Sequence, residues 1–139
     1  MPGRMRRRTF LLGAAASGLS LAWRSLGAWP LSPTQLSGGE RLAALLDGEV
    51  ARAVGGEYLR AFPLEASQRV LAARVVEQLP GGSRALAAAS DGRLRELLLG
   101  ATATDFGDLR TVELQGWVLA RTEARLCALA ALRADSSSA

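Results

Sequence analysis

The 139-residue chain contains no histidine, and that absence removes much of ordinary enzymology. A histidine general base, a Ser-His-Asp triad, a Cys-His pair, His-ligated zinc and the histidine of a covalently attached haem are all excluded. Lysine is absent as well, so all 17 positive side chains are arginines. The one cysteine, Cys127, leaves no intramolecular disulfide to form and is compatible with an oxidising compartment. Aromatic residues make up only 5% of the chain and β-branched residues are few, while alanine and leucine abound within a 49% hydrophobic composition. That balance favours helices over sheets.

The formal charge of +4 acquires meaning only from where it lies. Arg4, Arg6, Arg7, Arg8 and Arg24 precede residue 29 with no acid among them; beyond it, 12 arginines face 13 acids and leave a net charge of −1. The body is therefore not basic, and a surface that tracks nucleic-acid phosphates is not expected. The length holds one domain, with one modest core if the amino terminus is removed.

Residues 4–29, RMRRRTFLLGAAASGLSLAWRSLGAW, have the positive start, apolar run and small-residue end of an export signal. The run from Phe10 to Trp23 is shorter than the roughly 20 residues that cross a bilayer as a helix. Within it, Arg7-Arg8-Thr9-Phe10-Leu11 resembles the twin-arginine pattern of bacterial Tat signals, although Arg6 and Leu12 depart from the usual flanks. Ser20-Leu21-Ala22 and Ser25-Leu26-Gly27 both offer small residues at cleavage spacing, and retention as an anchor is the alternative. The expected organisation is an export signal at 1–28, a Pro-containing linker at 29–36, a helical domain at 37–134 and a frayed polar tail at 135–139.

The domain opens with LSGGE at 36–40, five letters shared with the signature loop of ABC ATPases. That loop acts on ATP held by a Walker A lysine, and the chain has no lysine. Ser37 and Glu40 instead have the spacing of a capping box. Leu42, Leu45, Leu46, Val50, Ala53 and Val54 then predict one helix, ended by Gly55-Gly56. A short turn of helix at 57–62 is expected to stop at Pro63. A second helix is expected from Leu64 to Pro80-Gly81-Gly82, and a third region at 83–99 is broken near Ser90-Asp91-Gly92. Residues 100–108 read as a loop, and TVELQGWVL at 111–119 as a short strand or hairpin around Gln115-Gly116. The last helix is placed at 122–133. The expectation is an all-α bundle of about four helices with one short hairpin before the last.

Few motifs carry chemistry. Asp105-Phe106-Gly107 repeats the kinase DFG triplet without any of its companion motifs. The carboxylate pairs Asp105/Asp108 and Glu113/Glu123 could act as acid and base or hold a metal, but no spacing brings them together. Cys127 in LCALAAL reads as a small buried hydrophobe, with Arg121 and Arg125 keeping a reactive thiol as the alternative. GWVLARTEARLCAL is the least generic stretch. It is either a helix buried in the chain's own core or a docking face built on Trp117, Leu119, Arg121, Arg125, Leu126 and Leu129, since tryptophan and arginine often anchor interfaces.

A twin-arginine leader on a small, Ala-rich helical chain that ends in GWVLARTEARLCALAAL resembles the small subunits of periplasmic flavoprotein dehydrogenases of the sorbitol or gluconate dehydrogenase kind. The likeness covers the leader and about twenty C-terminal residues. It implies a periplasmic, non-catalytic accessory chain that binds no cofactor, supplies the signal read by the Tat translocon and stabilises the large subunit. FAD would sit in that large subunit and haem c in a cytochrome c subunit. A stand-alone exported helical protein that binds a small ligand or serves the envelope is the competing expectation.

Overall fold

The stretch from Ala124 to Ala131 is apolar on nearly every side except at Arg125, and a helix of that character must be enclosed. The computed structural model describes residues 38–46 and 48–139. Its elements run α1 (Gly38–Leu45), α2 (Glu49–Ala61), a 3-10 turn (Pro63–Glu65), α3 (Gln68–Val76), α4 (Gly82–Ala88), α5 (Asp91–Gly107), β1 (Thr111–Leu114), β2 (Trp117–Ala120) and α6 (Arg121–Ser137). Helix α6 is the hub, packed on α1, α2, α3 and α5. Ala124, Leu126, Cys127, Ala128 and Leu129 are no more than 1% exposed. Around them close Leu42, Tyr58, Leu71, Val75, Leu94, Leu98 and Leu119. The domain is largely all-α with one small antiparallel sheet, in line with the sequence pattern. The leader with Arg7, Arg8, Phe10 and Leu11, the linker, and the proposed cap Ser37 lie outside the described residues.

Six helices replace the expected four among the described residues. The single helix anticipated over 37–54 is two, with α2 starting after Gly48. Separate helices let Leu42 and Leu45 on α1, Leu46 just past its end, and Ala51 and Tyr58 on α2 all enter the core, whereas Val50, assigned to the core stripe from sequence, is exposed. Gly55-Gly56 does not end a helix but lies inside α2. A Cβ on Gly55 would sit 2.0 Å from the Cys127 carbonyl oxygen, so glycine is what permits α2 to lie against α6. Pro63 stops α2 as expected. Leu64 is 95% exposed in the 3-10 turn, and α3 begins later, where the Ser67 hydroxyl accepts from the Val70 N–H at 3.3 Å.

The break near Ser90 is present, with its hydroxyl capping α5 by accepting from the Arg93 N–H at 3.2 Å. Arg41, buried on α1, secures this joint. Its guanidinium donates to the Leu86 and Ala89 carbonyls at the end of α4 and to Asp91 Oδ1 at 3.0 Å in the first turn of α5. These satisfy carbonyls a helix end leaves open.

Residues 100–107 are helical, not a loop. Two glycines and two threonines lower local helix propensity there, but Leu94, Leu98, Ala101, Thr102 and Asp105 form a continuous buried stripe that decides the matter. Helix α6 likewise continues to Ser137, past the point where fraying was expected.

The hairpin follows from its turn. Gln115 and Gly116 both have positive φ, 51° and 79°, as the tightest two-residue hairpin connection requires. Leu114 pairs with Trp117 and Val112 with Leu119, which puts these four side chains on one face of the ribbon.

Candidate functional site

The amino end of α6 is fixed by residues from outside that helix. Ala120 occupies the cap position and has no side-chain acceptor to offer. Asp105, 1% exposed, supplies one: its Oδ2 accepts from the Thr122 N–H at 2.7 Å and its Oδ1 from Arg110 Nε at 2.8 Å. The Arg110 carbonyl accepts from the Arg121 N–H at 3.0 Å. The aspartate of the DFG triplet is thus a cap delivered from the neighbouring helix, at the end where helix dipole and open amides favour a carboxylate. Asp105 and Asp108 do come together, but around Arg110 as shared ion partners.

A second cluster joins α2, the 3-10 turn and α6. Glu65 accepts from Tyr58 Oη at 2.6 Å, from Arg125 Nε and Nη2 at 2.9 and 2.8 Å, and from Arg121 Nη2 at 3.4 Å. The two bonds from Arg125 hold its carboxyl down at about 2, assisted by Tyr58 and opposed by burial. Arg121 also lies over the Phe62 ring, 4.7 Å from its centroid. Both arginines are therefore engaged within the chain. Sequence pattern gave no signal for Glu65 and Tyr58, which lie more than fifty positions from their α6 partners.

The remaining residues of the expected docking face separate. Leu119, Leu126 and Leu129 are no more than 1% exposed and belong to the chain's own core, so they offer no outward face. Trp117 differs, being 37% exposed. Beside it a groove of about 400 Å³ runs between α2 and the hairpin. Val50, Ala53 and Val54 form one wall, Leu114 and Trp117 the other, and Glu49 and Glu57 stand along the helix. Val50 is 58% exposed at its edge. Sequence reading missed this groove because it placed Val50 and Ala53 in the core of one unbroken helix.

Inside the core, Glu123 is fully buried and neither carboxyl oxygen has a hydrogen-bond partner among the described residues. Burial pushes its pKa up to about 7, and the Ala120 backbone amide, short of a full hydrogen bond, opposes this only in part. Glu113 is exposed on β1, so the two glutamates form no open pair. Cys127 is 1% exposed. Burial first, then the nearby Glu123, push its thiol well above the ordinary range, the opposite of what a reactive thiolate needs. Among the described residues no cluster of acids and cysteine has the arrangement of a metal site, and no helix is long and apolar enough to cross a membrane.

The fold and site define a small helical domain with a tryptophan-flanked surface groove. Comparison of the chain with protein-family models, with curated proteins and with solved structures finds no match.

Proposed function

We propose that the chain is an exported, non-catalytic accessory subunit of a periplasmic oxidoreductase. Its leader carries the Tat signal for a flavoprotein partner, and its domain stabilises that partner. FAD and haem c belong to the partner subunits. The observation that carries this reading is the exposed Trp117 beside a largely apolar groove on the helical domain. A large aromatic at the edge of an apolar concavity is the usual composition of a protein-docking surface. The docking face is reduced accordingly: Trp117 remains its anchor, while Leu119, Leu126 and Leu129 belong to the core.

In this role Arg7 and Arg8 present the assembled complex to the translocon, because Tat cargo crosses folded. Replacing both with lysine strands the chain and its flavoprotein partner together in the cytoplasm. If the chain alone is stranded and the dehydrogenase still reaches the periplasm, the escort reading fails.

The groove also favours a second reading, a stand-alone exported protein that binds a small ligand, since about 400 Å³ is within the range of small-molecule pockets. A monodisperse monomer that binds a periplasmic metabolite and no flavoprotein would favour it.

A further inference from the structure

The groove has a charge pattern as well as a shape. On α2, Glu49, Ala53 and Glu57 follow at four-residue intervals, so they share one helix face and the two carboxylates stand about 12 Å apart along the axis. Between and below them lie Val50, Ala53 and Val54, and across from them Leu114 and Trp117, held on the same ribbon face by their cross-strand pairing. Among the described residues that line it, none is cationic. Glu57 is paired with Arg60 one turn further on, at a largely exposed site where such a pair contributes little.

We propose that this groove is the docking site for an amphipathic helix of the partner subunit, with an apolar stripe flanked by two arginines or lysines about two turns apart. This specifies the partner contact of the accessory-subunit reading and rests on it. The apolar stripe covers Val50 and Trp117, the exposed hydrophobic residues of the groove. The two cations meet Glu49 and Glu57 at the matching spacing, since residues about two turns apart on a helix are separated by about 11–12 Å. This is the helix-in-groove mode, in which the apolar stripe gives affinity and the rim charges set orientation and register. A second copy of the chain fits less well, because symmetry places one acidic groove against another. A single small cation cannot span two carboxylates so far apart.

The test uses the full chain and two synthetic helical peptides. Both have the same leucine stripe; one carries two arginines about two turns apart and the other carries glutamates at those positions. Binding is followed by amide shifts of Trp117 and its neighbours in labelled protein. The arginine peptide should bind with shifts confined to α2 and the hairpin, and the glutamate peptide roughly tenfold more weakly or worse. Glu49→Gln with Glu57→Gln should remove that discrimination, and Trp117→Ala should weaken both peptides; neither change touches the core. Equal binding of the two peptides, shifts elsewhere, or self-association that the arginine peptide does not displace would overturn the proposal. Co-purification with a flavoprotein that survives both variants would discard the groove as the contact while leaving the accessory role intact. Peptide binding without any flavoprotein partner would do the reverse.

Discussion

Gly55 and Cys127 mark the closest approach of two helices: a Cβ on Gly55 would lie 2.0 Å from the Cys127 carbonyl oxygen and 2.8 Å from the Ala128 nitrogen. The obstacle is backbone, which cannot rotate away as a side chain does. Next to it, Gly56 has nothing within 4 Å of the same position among the described residues. The two neighbouring glycines should thus respond oppositely to alanine. Gly55→Ala forces α2 off α6 and costs about 3 kcal/mol. Gly56→Ala gains about 0.5–1 kcal/mol from helix propensity. Urea unfolding of both variants measures this.

The two perturbed glutamates bracket the pH of greatest stability. Glu65 has its pKa lowered from 4.5 to about 2, so its charged form favours the folded state, and this contribution is lost as pH falls from about 4.5 toward 2. Glu123 has its pKa raised from 4.5 to about 7, so between these values the folded chain holds a proton that the unfolded chain has released. Stability therefore falls as pH rises through that window. Unfolding free energy should peak near pH 4.5–5. Glu123→Gln should flatten the fall toward pH 8, leaving the variant about 2 kcal/mol more stable than the parent there. An unchanged slope would show that Glu123 is not the titrating group.

Asp105 serves two donors on different elements, Arg110 and the Thr122 N–H. Asp105→Ala leaves a buried amide without its acceptor and should cost about 2–4 kcal/mol. Asp105→Asn keeps an acceptor for the amide and should cost about 1 kcal/mol. Hydrogen exchange at Thr122 provides a local readout, with protection lost in the alanine variant and largely kept in the asparagine one.

Leu109 is in the left-handed region with φ 58°, and its side chain is 84% exposed. The Leu109 N–H donates to the Phe106 carbonyl and the Arg110 N–H to that of Asp105, the bonds of a helix end that ordinarily has glycine at this position. The strain of roughly 1–2 kcal/mol is repaid by no burial. Leu109→Gly should stabilise the domain by about 1 kcal/mol once glycine's extra unfolded-state freedom is subtracted, measured as a shift of the thermal midpoint.

What the sequence made legible follows from the range of the interactions involved. The Gln115-Gly116 turn, the stop at Pro63 and the break near Ser90 are local, and each was read from neighbouring residues. The burial of Cys127 was legible too, because its helix is apolar on almost all sides. The break between α1 and α2, the helical state of 100–107 and the continuation of α2 through Gly55 depend on α6, which is distant in sequence. At Gly55 a second backbone lies against the helix, and only that tertiary contact distinguishes this use of glycine from a helix end. Trp117 was singled out from its residue type as the anchor of one of two alternatives, and it is 37% exposed. The groove beside it depends on α2 turning Val50 outward, which no local pattern encodes.

The most direct measurement of the central claim is recovery of the full chain from its native periplasm under mild conditions, with bound flavin followed by fluorescence. An accessory subunit should bring a flavoprotein in fixed stoichiometry, and Trp117→Ala, whose side chain lies at the groove and not in the core, should release it while leaving the domain folded. Recovery of the chain alone as a folded monomer, with no flavin in any fraction that contains it, would contradict the account.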